Sequence, residues 1–178
     1  MKGVIFSELI HWVEETYSPA IADRMIVQAE LPGEGSYTSV GNYPHVQALA
    51  MIGQLVEITG RPVDVLADAY GYWLSSRFAA LYPQFFVGYS DAISFLKAID
   101  GIHQKEVTKL YPDALTPRVI AEVDGQDLLV SYASHRPFAE VAHGLIRGYI
   151  DHFGDDLVIL RDEQTPGPHA ARFILQRK

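Results

Sequence analysis

The sequence predicts an α+β fold, in which a helical N-terminal part precedes a small antiparallel β-sheet with one helix packed against it. Two patterns indicate this fold. Apolar residues recur at helical spacing through the first two-thirds of the chain, and short β-prone segments appear only after Pro112. At 178 residues the chain is long enough to bury a core, and we expect a single domain over 1–178.

Helices account for the N-terminal part. In the first of them Ile5, Leu9 and Trp12 recur at helical spacing. The segment 31–44 holds three glycines and two prolines, which predicts a turn-rich connection rather than a helix. Helices are expected over 2–17, 20–27, 45–59, 62–82 and 90–111.

The C-terminal third has a different pattern. Two β-prone segments, 119–123 and 128–132, are separated by Asp124-Gly125, a dipeptide typical of hairpin turns. A helix is expected over 137–153. A second hairpin is expected from the segments 157–160 and 172–175, which turn around Pro166-Gly167-Pro168.

Composition excludes several classes of protein. The formal net charge of −8 repels phosphate backbones, so we expect no nucleic-acid partner. The chain has no cysteine, which excludes disulfides, thiolate metal sites and a cysteine nucleophile. No apolar run approaches the 18 residues of a membrane span, and the N-terminus lacks a signal-peptide pattern. We therefore expect a cytoplasmic protein.

Several polar groups resemble functional motifs only weakly. The loop around Gly33 and Gly35 lacks the G-K-[ST] ending of a phosphate loop and is interpreted as a plain connection. His11, Glu14 and Glu15 share one helix surface, as metal ligands on helices do, but a solvated acidic face has the same spacing. We favour the solvated face.

Nothing in the sequence predicts catalysis. No G-x-S-x-G or H-E-x-x-H motif is present. The acidic pairs Asp155-Asp156 and Asp162-Glu163 fall at hairpin edges, where exposed carboxylates are common. His143 and His152 lie nine positions apart on one helix, which does not form a local metal clamp. We expect no enzymatic activity and no catalytic residue.

Two features suggest a binding site. His103 falls within a predicted helix that is otherwise rich in apolar residues. Tyr132, Ser134 and Arg136 alternate along a predicted strand, so they project from one face if the strand extends that far. Two hydroxyls and a guanidinium together form a donor cluster suited to a carboxylate or a phosphate.

These features occur in an order that resembles the haem nitric oxide/oxygen-binding (H-NOX) domain, the sensor module related to that of soluble guanylate cyclase. The resemblance covers nearly the whole chain. It rests on the start Met1-Lys2-Gly3-Val4-Ile5-Phe6, on Asp100-Gly101-Ile102-His103, on Lys109-Leu110-Tyr111-Pro112-Asp113-Ala114, on Pro117, on Tyr132-x-Ser134-x-Arg136 and on Gly144-Leu145-Ile146.

The resemblance implies a haem b cofactor and a role for each matching residue. His103 would be the iron ligand, and Tyr132, Ser134 and Arg136 would hold the haem propionates. Pro117 would press on the macrocycle. The distal side would be lined by Ile5, Leu145, Val141 and Leu74.

One departure from the family pattern leaves the ligand open. Fourteen positions separate His103 from Pro117, where the family has thirteen. Alignment from upstream places His103 at the ligand position, and alignment back from Pro117 places Gln104 there. One residue turns an α-helix by about 100°, so both cannot face the iron in an unbroken α-helix. A one-residue π-bulge after His103 would absorb the extra residue.

The distal positions favour NO over O₂. Oxygen-binding members carry a tyrosine nine residues after the first tyrosine of the motif, where this chain has Val141, and a supporting asparagine near the position of Leu74. We therefore expect a stand-alone sensor of NO, with CO as a second candidate gas. By the resemblance it would act on a histidine kinase or a cyclic-di-GMP enzyme in trans. The alternative is a haem-independent interaction or small-ligand module that has lost its iron ligand.

Overall fold

The computed structural model describes residues 1–161 and 167–178. It confirms the predicted α+β class, with helices through the N-terminal part and an antiparallel sheet near the C-terminus. The chain divides into two compact units, Met1–Tyr70 and Gly71–Lys178.

The first unit is helical. Its helices are α1 (Gly3–Thr16), α2 (Pro19–Gln28), α3 (Val46–Thr59) and the first part of α4 (Val63–Leu81). Ser18 caps α2 by accepting a hydrogen bond from the backbone amide of Ile21 at 3.3 Å. The predicted connection over 31–44 is confirmed as turns and irregular chain. The fully buried side chains of this unit include Phe6, Leu9, Met25, Met51 and Leu55.

The second unit continues α4 and adds the remaining elements. After a 3₁₀ turn at Pro83–Phe85 come α5 (Ala92–Gly101), a π-helix (Ile102–Val107), α6 (Thr108–Leu110), β1 (Arg118–Asp124), β2 (Asp127–Ala133), α7 (Ala139–Phe153), β3 (Leu157–Arg161) and β4 (Ala170–Arg177). The helix expected over 90–111 is therefore interrupted by a π-helical segment, which an α-helical apolar pattern does not predict.

The four strands form one antiparallel sheet in the order β1-β2-β4-β3. The first predicted hairpin is confirmed, but its two-residue loop is Gly125-Gln126 rather than Asp124-Gly125. Asp124 pairs with Asp127 in the ladder, and Gly125 supplies the positive φ of 63° that the turn requires. The second hairpin is confirmed by its strands; Pro166 of its expected turn lies outside the described residues.

One face of the sheet is buried against α5 and α7. Alternate residues of β2 and β4 point into this core, which accounts for the period-two burial along both strands. The core includes Phe95, Leu96, Val130, Ile146, Phe173 and Leu175. None of the helices within 1–161 and 167–178 is long and apolar enough to cross a membrane.

Helices α4 and α7 approach each other closely within the second unit. A Cβ atom added at Gly71 would lie 2.2 Å from the carbonyl oxygen of Val141, and one added at Gly148 would lie 1.9 Å from Ser75 Oγ. The Gly71 contact is with backbone, which cannot rotate away. The absence of a side chain at residue 71 is therefore a condition for this helix crossing.

We expect Gly71→Ala to lower the free energy of unfolding by about 1–3 kcal/mol, because the added methyl group forces the helices apart. Gly53→Ala is the matched control, since a Cβ at this α3 position meets nothing within 4 Å. That change should raise stability by about 0.5–1 kcal/mol through helix propensity. Urea unfolding of both variants measures the difference, and equal effects would contradict the close contact.

Candidate functional site

His103 lies in the π-helix, and its half-buried ring faces the segment that leads into β1. The ring nitrogen Nδ1 is 3.3 Å from the carbonyl oxygen of Pro117. When Nδ1 carries the proton, it donates to this carbonyl and Nε2 keeps its lone pair. A hydrogen bond of this kind fixes the tautomer and the orientation of metal-binding histidines.

The π-helix accounts for the extra residue between His103 and Pro117. A π-helix fits one more residue into a turn than an α-helix does, so the extra residue need not rotate the histidine outward. The widened segment spans Ile102–Val107 and thus begins before His103 rather than after it. Gln104, the other candidate at this position, is exposed, and its Nε2 donates to Asp100 Oδ2 at 2.6 Å.

Burial favours the neutral form of this histidine. Desolvation lowers the pKa of His103, and the Pro117 carbonyl and the Asp100 carboxylate oppose that shift more weakly. The net direction is a lowered pKa. At neutral pH His103 is therefore held as the neutral imidazole, which is the form that binds iron.

Tyr132, Ser134 and Arg136 do converge, but not by the mechanism that the alternation predicts. The strand β2 ends at Ala133, so Ser134 and Arg136 do not continue its face. Ser134 Oγ instead accepts the backbone amide of Arg136 at 3.1 Å and turns the chain. The condition that the strand extends through Arg136 is therefore not met: the backbone amide of Ser134 still donates to the carbonyl oxygen of His169 at 2.9 Å, and the chain turns after it.

The three polar groups interact with one another. Burial raises the pKa of Tyr132, and a hydrogen bond with Ser134 and the charge of Arg136 act in the opposite direction. Arg136 Nη1 donates to the carbonyl oxygen of Leu115 at 2.7 Å. Burial lowers the pKa of Arg136, but a guanidinium remains charged at any physiological pH.

The segment 115–117 connects the histidine with the arginine. Arg136 holds it through the Leu115 carbonyl, and His103 contacts it through the Pro117 carbonyl two residues later. Pro117 is half-buried between these two contacts. The sequence features predicted as one site are therefore linked through a single short segment of backbone.

Of the apolar residues assigned to the distal side, Val141 and Leu74 are buried, and Leu145 is half-buried. Val141 and Leu74 do not belong to the core beneath the sheet, whereas Leu145 packs against that core. Ile5 lies on α1 in the first unit, where it is half-buried and its carbonyl accepts the Tyr70 hydroxyl at 2.6 Å.

Comparison with known proteins shows the family of this chain. The model of a family described as Haem-NO-binding (HNOB) matches residues 2–161. The fold is similar to the crystal structure of an unliganded Fe(II) H-NOX protein from K. algicida, with a TM-score of 0.90 and 30% identity over 100% of this chain and 97% of that chain. The chain belongs to the H-NOX family. No curated protein matches it.

Other solved H-NOX structures give the same result. The Shewanella woodyi H-NOX solution structure, bound to IWP-051 in the Fe(II)CO state, has a TM-score of 0.83 and 31% identity over 100% of this chain and 95% of that chain. An S. oneidensis H-NOX in the Fe(II)NO state has a TM-score of 0.90 over 100% of this chain and 99% of that chain. At 21% identity, this second likeness shows the fold alone.

H-NOX domains are haem-binding gas sensors rather than catalysts, and haem iron is the cofactor of the family. The residues of this chain fit that group. A neutral imidazole with Nε2 available suits ferrous iron, and a charged guanidinium beside two hydroxyls suits the two haem carboxylates. Both donor sets belong to the second unit.

Sequence reasoning missed two groups that contact the candidate site residues. Asp100, which the family resemblance includes only as part of the Asp100-Gly101-Ile102-His103 motif, contacts Gln104, Arg118 and the amide of Val119. Its spacing of four from Gln104 was the available signal. The sequence could not indicate the role of the Leu115 carbonyl, because every residue has a backbone carbonyl and the residue type does not show which one accepts a hydrogen bond.

The remaining candidates stay outside the site. His11 Nε2 lies 3.0 Å from Glu15 Oε1 and His11 Nδ1 lies 3.9 Å from Glu8 Oε2, so this polar group on α1 includes Glu8. Among the residues that the structure describes, no group of three potential metal-binding side chains is found. His143 and His152 contact aromatic rings. The pair Asp162-Glu163 lies outside the described residues.

Proposed function

We propose that residues 1–178 form one haem-based sensor domain that binds NO, with CO as a second gas and little affinity for O₂. The observation that carries this proposal is the half-buried His103 of the π-helix, with Nδ1 directed at the Pro117 carbonyl and Nε2 left for a metal. The haem would supply the ferrous iron to which a diatomic gas binds. The protein itself would hold the haem and determine which side chains surround it.

Three side chains would hold the haem carboxylates. Tyr132 and Ser134 offer hydroxyl donors, and Arg136 offers a planar guanidinium that can bind a carboxylate through two parallel hydrogen bonds. Pro117 would pack against the macrocycle. Its own carbonyl contacts the His103 ring, and the Leu115 carbonyl two residues earlier accepts a hydrogen bond from Arg136. Distortion of the ring is one of the means by which a protein adjusts iron affinity.

Selectivity for NO would come from the apolar character of the distal residues. None of Val141, Leu74, Leu145 and Ile5 carries a side-chain hydrogen-bond donor. A donor there would favour O₂, which accumulates negative charge when it binds ferrous iron, whereas NO needs much less help. The apolar character of these residues therefore supports discrimination against O₂.

The output would be a change in affinity for another protein. A sensor without catalytic activity must act on a partner, and a histidine kinase or a cyclic-di-GMP enzyme in trans is the partner class that the family resemblance suggests. The coupling requires that the partner bind the gas-free and gas-bound states with different affinity. The effect is reciprocal, so the partner would also change the gas affinity.

The absorption spectrum of the reduced, haem-loaded protein tests this proposal. We expect a five-coordinate ferrous spectrum that does not change in air and shifts when NO is added. A spectrum that shifts in air would contradict the discrimination against O₂. A free-haem spectrum would favour the haem-independent interaction module instead.

Val141→Tyr and Val141→Phe form a matched pair for the selectivity. The two variants differ by one hydroxyl, so the difference in O₂ affinity between them isolates a hydrogen bond from a change in size. A bond to a charged group is worth about 1.5–3 kcal/mol, which corresponds to about tenfold or more in O₂ affinity for the tyrosine variant. Equal O₂ binding by the two variants would show that an apolar residue 141 is not what disfavours O₂.

A further inference from the structure

Asp100 lies at the end of α5, one turn before His103, and its carboxylate has three partners. Oδ2 accepts the amide of Gln104 at 2.6 Å. Oδ1 lies 3.0 Å from Arg118 Nε and accepts the backbone amide of Val119 at 3.4 Å. The side chain is 22% exposed, so this carboxylate joins the helix to the first two residues of β1 from a largely buried position.

These contacts act on both sides of His103. The bond to Gln104 keeps that side chain on the solvent side of the helix. The contacts to Arg118 and Val119 fix the start of β1, and the residue just before it, Pro117, supplies the carbonyl that orients the imidazole. Asp100 thus restrains Gln104, which competes with His103 for the ligand position. It also restrains the Pro117 carbonyl, which orients the His103 ring.

The segment needs such a restraint because its helix type is intrinsically unfavourable. π-helices are rare and occur mainly as short interruptions of α-helices. If the segment 102–107 returned to α-helix with its C-terminal end fixed, the extra residue would rotate the preceding turn by about 100°. Gln104 would then occupy the direction that His103 has now, and the histidine would turn away.

We propose that Asp100 is a positioning residue that holds the π-helical register in which His103 faces the haem. The inference rests on the proposed function, since it assumes that His103 is the iron ligand. Its basis is the juxtaposition of one carboxylate with Gln104 on the helix and with Arg118 and Val119 on β1. Ionised acceptors form the stronger hydrogen bonds in proteins, which suits this role.

The first test is the rate of haem loss from Asp100→Ala. Residues that orient a metal ligand typically contribute 10- to 100-fold to metal affinity, so we expect the haem dissociation rate to rise at least tenfold. The iron–histidine stretching band in the resonance Raman spectrum of the reduced protein should weaken in parallel. Glu106→Gln is the matched control, because it removes the charge of the exposed Glu106–Lys109 pair on the same helical segment. It should change the rate less than twofold.

The second test removes the need for the restraint. Deletion of Gln104 shortens the His103–Pro117 spacing to the family's thirteen, so the segment can form an α-helix with His103 in place. Combined with Asp100→Ala, the deletion should restore the iron–histidine band and bring the haem dissociation rate to within about threefold of the unaltered protein. A residue that merely supports the fold would not be rescued by a deletion.

The outcomes separate the two hypotheses. If the unaltered protein lacks an iron–histidine band, the proposed function fails. If that band is present but Asp100→Ala behaves like the Glu106→Gln control, or the deletion does not rescue it, the role of Asp100 is refuted. If Asp100→Ala does not fold, Asp100→Asn takes its place in the same comparison, because asparagine keeps one acceptor oxygen and loses the charge. We expect the haem dissociation rate of Asp100→Asn to lie between that of the unaltered protein and the rate expected for Asp100→Ala. Deletion of Gln104 should again restore the rate of the unaltered protein.

Discussion

Replacement of His103 by glycine is expected to abolish the iron–protein bond and to raise the haem dissociation rate by at least about 100-fold, beyond the range found for residues that only orient a ligand. The reason is that Nε2 of this ring is the nitrogen left available after Nδ1 contacts the Pro117 carbonyl. Free imidazole should enter the space vacated by the side chain and restore a five-coordinate ferrous spectrum. Absorption spectroscopy of the reduced protein measures both effects.

Two variants serve as controls for this prediction. His143→Gly removes another partly buried histidine, one that contacts the ring of Phe173 on the second unit, and should keep the unaltered spectrum. Gln104→Ala should also retain the histidine-ligated spectrum, because Gln104 is exposed. A loss of ligation in Gln104→Ala together with retention in His103→Gly would mean that Gln104, rather than His103, faces the haem.

Arg136→Ala is expected to raise the haem dissociation constant about 10- to 100-fold. The variant removes the cation from the cluster with Tyr132 and Ser134, and hydrogen bonds to charged groups contribute about 1.5–3 kcal/mol. It also releases the Leu115 carbonyl, which Arg136 holds at 2.7 Å. Competition for haem with a high-affinity apo-globin measures the change.

Arg136→Lys distinguishes charge from geometry. Lysine keeps the charge but cannot form the paired hydrogen bonds of a guanidinium, so we expect a loss intermediate between those of the unaltered protein and Arg136→Ala. Arg172→Ala, at an exposed position of β4, controls for the loss of a positive charge elsewhere on the unit. If Arg172→Ala weakens haem binding as much as Arg136→Ala, the cluster has no specific role.

Most of the fold could be predicted because its local signals agree with its tertiary contacts. The hairpin β1–β2 combines a glycine turn with alternating apolar residues, and the alternation coincides with the face that packs on α5 and α7. Helices α1 and α3 likewise combine an apolar stripe with an end signal, such as Gly60 at φ 68° after α3. In these elements the local sequence preferences favour the same structure as the tertiary contacts do, so the sequence pattern alone is enough to predict them.

The site was predictable in composition but not in geometry. The residue types at 103, 132, 134 and 136 were identified from the sequence, yet their arrangement depends on a π-helix and on a turn after Ala133. Helix type is decided by side-chain contacts such as those of Asp100, which join residues nearly twenty positions apart. A periodicity argument covers only neighbouring turns, so it leaves the choice between His103 and Gln104 open.

The most direct test of the account is the low-frequency resonance Raman spectrum of the reduced protein, prepared with ordinary histidine and with nitrogen-15-labelled histidine. If His103 binds the iron, an iron–histidine stretching band is present, shifts to lower frequency on labelling, and is absent from His103→Gly. A haem-loaded protein whose spectrum has no band sensitive to the label would contradict the central claim that the π-helix presents His103 to the haem.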